Sequence, residues 1–236
     1  MEDNTSGVPL AEQHRNRERM IHFIPYVNNF PLLVKAYESC RDYDGPVIII
    51  DNRDLHSTET SPKELGLEKH HQIFVSPAPL STSQTMNWMW RVAAKYHPTG
   101  FFTWQHSDAS FDISSLLKLH DIAHSLDINW GVIHTHYDTL CAYRVQAISA
   151  IGGWDYLRFQ WYFLDNDLHI RLHKAGFRFI QANVGHITHV ASSTIKTSSE
   201  RNTINNVMFP ASEILFHNKH PDHAQYTYEK LNYLEL

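Results

Sequence analysis

The stretch from Phe101 to Asp112, FFTWQHSDASFD, constrains the fold more than any other part of the chain. Phe101, Phe102, Thr103 and Trp104 make a short, mostly apolar run suited to a buried strand, and it stops in a polar cluster, Gln105, His106, Ser107 and Asp108. Asp112 then stands in N-cap position ahead of Ser114, Ser115, Leu116, Leu117 and Leu119, which predicts a helix. A buried strand that ends in an imidazole and a carboxylate and turns into a capped helix is how α/β folds present a ligand or metal site. A polar surface loop would read the same way in isolation, so the rest of the chain has to decide.

The flanking segments repeat the pattern. Residues 1–19 are polar and charged and read as a flexible or helical lead-in. Ile21 to Tyr26 is a strand ended by Pro25, and Asn28-Asn29 can cap a helix carrying Phe30, Leu33, Val34 and Tyr37. After the Asp44-Gly45-Pro46 turn, Val47 to Ile50 is a β-branched run suited to a central parallel strand, and it ends in Asp51-Asn52-Arg53-Asp54. Gln72 to Val75 is a third short strand, and Ser81 to Tyr96 a helix whose Met86, Met89, Trp90 and Ala93 recur at core spacing. Strands at Asn129 to His134 and Thr139 to Tyr143 follow. A short helix from Val145 ends at Gly152-Gly153, and Asp165-Asn166-Asp167 opens a helix closed by Gly176. Phe177 to Gln181 is the last clear strand; the Ser-, Thr- and Asn-rich tail from Ser192 reads as loop until Ala211.

With 236 residues the chain suits one large α/β domain, or at most two small ones, and the strand–helix–strand order points to a mainly parallel sheet flanked by helices. A net charge of -5 argues against a protein held on nucleic acid by its overall field. Two unpaired cysteines, Cys40 and Cys141, make neither a disulfide framework nor a cysteine zinc site. No run approaches the roughly 20 apolar residues of a membrane-spanning helix, and the polar start lacks a signal-peptide core, so a cytoplasmic location is expected. The 18 histidines count for little until position is known.

Four polar sites therefore stand at strand ends or helix starts: Asp51, the His106-Ser107-Asp108 cluster, Asp165 with Asp167, and His186 with His189. Their order resembles the GT-A fold of nucleotide-sugar-dependent glycosyltransferases, most closely the inverting family 2, over roughly Met20 to Ser193. IHFIPYVNNFPLLVKAYESC resembles the family's first strand and helix, IIIDNRDL its second strand, and FFTWQHSDASFD stands where its Asp-X-Asp motif belongs. The most specific match is AISAIGGWDYLRFQWYFLDNDLHIRLHKAGFRFI, similar to the acceptor segment, and HITHVASST resembles the closing histidine segment.

The resemblance implies a Rossmann-like core over 20–193, with 194–236 as an extension packing on or near the active site. It implies a hexosyltransferase-type enzyme moving a sugar from a UDP- or dTDP-linked donor to a hydroxyl of a glycan, glycoprotein or glycolipid, with inversion. Asp165 would be the general base, and Asp108 with His189 (His186 as the fallback) would hold Mn²⁺ or Mg²⁺. Asp51 would meet the nucleobase, Tyr26 would stack near it, Asn87 would face the donor, and Trp154 would shape the sugar pocket. His106 stands where the family has Asp, and with Ser107 it would contact ribose, donor sugar or metal. A lipid-linked acceptor would require peripheral membrane contact.

Three other classes compete. A non-catalytic nucleotide-sugar or carbohydrate-binding module would not need both Asp108 and Asp165. A sugar nucleotidyltransferase would carry a glycine-rich basic loop where this chain has PYVNNFP, and a histidine metal hydrolase would show a close-spaced set such as HExxH.

Overall fold

The structure is a computed structural model that describes residues 19–53, 57–126, 129–190, 193–196, 199–226 and 233–236. Apart from Arg19, the expected lead-in lies outside the described residues, as do Asp54 and Ser192. In chain order the elements are β1 (His22–Tyr26), α1 (Phe30–Glu38), β2 (Val47–Asp51), β3 (Gln72–Val75), α2 (Thr82–Tyr96), β4 (Phe101–Gln105), β5 (Ala109–Phe111), α3 (Ile113–Ser125), β6 (Trp130–Thr135), β7 (Tyr137–Arg144), α4 (Val145–Ala150), α5 (Leu164–Lys174), β8 (Arg178–Gln181), β9 (Ile187–His189), α6 (Ser193–Lys196), α7 (Ser199–Lys219) and β10 (Tyr233–Glu235).

Eight strands form one sheet in the order β10-β8-β6-β7-β4-β1-β2-β3. Every neighbouring pair is parallel except those of β7, which runs antiparallel to both β4 and β6. The central strands β1, β2, β4 and β6 are mostly apolar because both their faces are covered, whereas the edge strand β3 is partly exposed. Successive side chains point to opposite faces, so Phe23 and Ile24, Val132 and Ile133, and Phe179 and Ile180 divide between two cores. One core takes Leu33, Ala36 and Tyr37 of α1 with Leu116 and Leu119 of α3; the other takes Met86, Met89 and Ala93 of α2 with Ile148 of α4 and Leu168 of α5. The Met stripe of α2 is thus core, and the helix starts in a capping box between Ser81 and Gln84. Asp112 caps α3 by accepting from Ser114 N at 2.9 Å.

The tail departs from its sequence expectation. Residues 199–219 form a 21-residue helix that runs through Pro210. Local propensity is poor, with Ser, Thr and Asn in its first half, and tertiary packing overrides it. Phe216 is buried and stacks on Phe163 at 5.1 Å, and Phe209 packs edge-on against Tyr162. Among the described residues no helix is long and apolar enough to cross a membrane. Cys40 and Cys141 are both buried and free.

Candidate functional site

The site begins where β4 stops. Gln105, the first residue of the polar cluster expected at the strand end, is the last residue of β4 and fully buried. Its Oε1 pairs with His22 Nε2 at 2.7 Å and its Nε2 donates to Ala36 O at 3.0 Å, which pins the strand end to β1 and α1. The next residue continues the ladder for one more bond, His106 N to Thr139 O at 3.0 Å. The chain then turns, Ala109 N returning to His106 O at 3.1 Å, and Asp108 sits in that turn.

Residues 109–111, between the polar cluster and the capped helix, form β5 and pair antiparallel with β9 in a separate two-stranded ribbon, with Ala109 opposite His189. This register sets His189 beside Asp108, and Val190 N donates to Asp108 O at 3.0 Å. His189 Nε2 lies 3.3 Å from Asp108 Oδ1, and His106 Nδ1 lies 3.7 Å from the same oxygen. The ligand atoms of His106, Asp108 and His189 all fall within 4.8 Å of one another. His186 is exposed at the other end of the ribbon and faces Thr188 Oγ1 at 3.3 Å, away from this cluster. A carboxylate and two imidazoles, part-buried and converging, are a donor set that fits a divalent cation such as Mn²⁺.

Two residues at this cluster escaped sequence reading. Ser193, at the start of α6, donates from Oγ to Asp108 Oδ2 at 2.6 Å. Asp138, at the β6–β7 hairpin, places Oδ2 3.7 Å from His106 Nε2. Burial lowers the His106 pKa, but its two carboxylate neighbours outweigh that and bring it to about 10. Asp108 is held below the usual carboxylate range: burial works against this, and His106 and Ser193 prevail.

The cluster opens on a cleft of about 590 Å³. It is lined further by Pro25, Val27, Asn52 and Trp104, by Trp161 and Tyr162 from the aromatic stretch before α5, and by Ile204 and Met208 from α7. Neither a family model nor a curated protein matches this chain.

Asp165 stands in the first turn of α5, after Phe163, whose φ of 58° is left-handed, an unusual backbone for a ring-bearing residue. Burial and the nearby Asp138 carboxylate push its pKa up to about 7, against the opposing pull of His106. A helix N-terminus favours the anion by about 0.3–1 kcal/mol, too little to cancel that rise. The Trp154 indole N–H makes no hydrogen bond of ordinary geometry but is close enough to offset a further part of it. Asp138 moves the other way: burial raises it, and His106 more than reverses that. Two neighbouring carboxyls thus titrate far apart, one ionised and one poised near neutrality.

Four expected contact residues have other work in this structure. Tyr26 is fully buried and donates from its hydroxyl to Thr60 O at 3.0 Å, so no ring face is open for stacking on a base. Asn87 Nδ2 donates to Trp154 O at 2.8 Å while its Oδ1 accepts from Trp154 N at 2.9 Å, which commits the amide to the chain rather than to a donor. Trp154 is buried edge-on against Tyr143. Before it, Gly153 has φ of 82°, and a Cβ there would collide with Asn87 Oδ1, so Gly153 is required both for its backbone and for its size. Asp51 is 3% exposed, and both its oxygens accept from the Arg53 guanidinium, at 2.8 and 2.9 Å.

Proposed function

We propose that this chain is an inverting glycosyltransferase of GT-A type, using a nucleotide-diphosphate sugar, UDP- or dTDP-linked, as donor. The observation that carries the reading is that the His106-Asp108-His189 cluster opens on the cleft while Asp165, held near neutrality, lies within electrostatic reach of the same imidazole. The mixed, mainly parallel sheet with acidic groups at its strand ends supports the fold assignment.

In this reading Asp165 accepts the proton of the acceptor hydroxyl as that oxygen attacks the anomeric carbon. The bond from that carbon to the diphosphate oxygen breaks, its electron pair leaves with the nucleoside diphosphate, and one displacement inverts the centre. A base poised near working pH is ionised in a useful fraction of molecules and still takes a proton readily. Asp108 and His189 would hold Mn²⁺ or Mg²⁺, which when bound offsets the charge developing on the leaving diphosphate. Trp161 and Tyr162 border the cleft and offer aromatic surface to a sugar; Trp154, expected in that place, is buried and held by Asn87. The acceptor would be a hydroxyl of a glycan, glycoprotein or glycolipid.

The test is the thermal midpoint of the protein against a panel of nucleotides and nucleotide sugars with Mn²⁺, Mg²⁺ or EDTA. Native-state binding raises the midpoint by mass action. A rise with uridine or thymidine diphosphates that requires metal and is lost in Asp108→Ala is expected. No rise with any nucleotide under any metal condition would remove the donor site.

A further inference from the structure

Both ring nitrogens of His106 face a carboxylate. Nδ1 lies 3.7 Å from Asp108 Oδ1, and Nε2 lies 3.7 Å from Asp138 Oδ2. His189 Nε2 approaches that same Asp108 oxygen at 3.3 Å. Asp108 Oδ1 is therefore the point on which two imidazoles converge, and Asp138 stands behind one of them. A histidine binds a cation as the neutral imidazole, giving up the proton on the ligating nitrogen and keeping it on the other, and its neighbours choose which. A carboxylate behind Nε2 draws the proton there and leaves the Nδ1 lone pair aimed into the cluster.

The backbone holds Asp138 in that place. The β6–β7 register shifts between His134 and Thr135, and Thr139 N closes the hairpin on His136 O at 3.3 Å. Thr139 O takes the His106 N–H, so Asp138 is the residue directly before the one that anchors His106. The strand end bearing the imidazole and the hairpin bearing the carboxylate are one hydrogen-bonded unit.

We infer that Asp138 is a positioning residue that fixes His106 with Nδ1 as ligand, making His106 the second imidazole of a His-Asp-His divalent-metal site. The inference rests on the metal site proposed above and adds to it a third ligand and the carboxylate that orients it. Two imidazoles with one carboxylate suit Mn²⁺ better than Mg²⁺, which demands oxygen ligands and sheds water reluctantly.

The test uses the full chain and Mn²⁺ alone, with no nucleotide, so that it does not depend on turnover. Bound ion is followed by electron paramagnetic resonance, and nitrogen couplings by the pulsed form of the experiment. The wild type is expected to bind one Mn²⁺ with two imidazole couplings, to keep it in a large excess of Mg²⁺, and to lose one coupling in His106→Gln. Asp138→Ala should weaken Mn²⁺ binding about 10–100-fold with the metal-free thermal midpoint little changed, the range expected for removing a carboxylate behind a ligating histidine. Asp138→Asn retains an acceptor oxygen and should recover most of that loss. A wild-type site with one nitrogen coupling or no Mn²⁺, or Asp138→Ala at wild-type affinity, would overturn the inference. So would Asp138→Asn as weak as the alanine variant, because Asp138 would then act only through its charge. Failure of the transferase reading shows separately, as intact Mn²⁺ binding with no nucleotide-dependent change in the spectrum.

Discussion

Asn87 shows how a single amide can organise a turn. Both ends of its side chain are spent on the backbone of Trp154, and the residue before that tryptophan is a glycine with no room for a Cβ. Removing one partner of a buried pair strands the other, at roughly 1–3 kcal/mol for each group. Asn87→Ala should therefore lower unfolding stability by about 2 kcal/mol or more in urea titrations, and Gly153→Ala should also be destabilising because it adds backbone strain to a collision. Asn87→Ala at wild-type stability would show that the Gly-Gly-Trp turn holds itself. Asp165 illustrates the opposite economy, a carboxyl left near neutrality where an ion pair would have made it inert.

At the scale of elements, the end of α7 is fastened by charge to α5 and to the turn that carries Asp155. Asp167 is completely buried and meets Arg171 Nε at 2.8 Å and His220 Nε2 at 2.9 Å, while Lys219 bridges from Asp155 to Asp167. Breaking a buried ion pair from one side typically costs about 3–5 kcal/mol. Asp167→Ala should lose stability on that scale, and Lys219→Ala combined with His220→Ala should expose 199–219 to limited proteolysis while the sheet stays protected. Equal protease resistance in that double variant would mean that Phe216 and its aromatic neighbours hold the helix unaided. What was legible in the sequence follows the same division. β2 and α2 announce themselves through β-branched and 3.6-residue patterns, and Asp108 through its place at a strand end. α7 did not, because Ser, Thr, Asn and Pro210 disguise a helix held by distant partners. The β5–β9 pairing and Asp138 were equally hidden, since both depend on register between segments far apart in sequence.

For the whole molecule, the histidines set the response to acid. His22 is enclosed beneath the site, and burial brings its pKa down to about 4; His120 and His169 are lowered as well, chiefly by burial. Between about pH 6.5 and 4 the unfolded chain binds more protons at His22 than the native state does, so stability rises with pH there. This contribution is full above the unfolded value of 6.5 and is lost as the pH falls toward 4, on the order of 3 kcal/mol for His22 alone. The Asp165 carboxyl works in the opposite direction over the same window, because its raised pKa makes the native state take up a proton as the pH falls through about 7. Urea midpoints should therefore fall from pH 7 to pH 5 more steeply in Asp165→Asn than in the wild type and least in His22→Gln; a profile that His22→Gln leaves unchanged would contradict this.

The most direct measurement on the central claim is the pH profile of nucleoside diphosphate release, with the donor that gives the largest thermal shift, for the wild type and Asp165→Asn. The account predicts metal-dependent release whose rate climbs with pH through about 7 as Asp165 loses its proton. It predicts a fall of roughly 10²–10⁴ in kcat for Asp165→Asn with little change in donor KM. Release by Asp165→Asn at the wild-type rate, with the same pH profile, would contradict it.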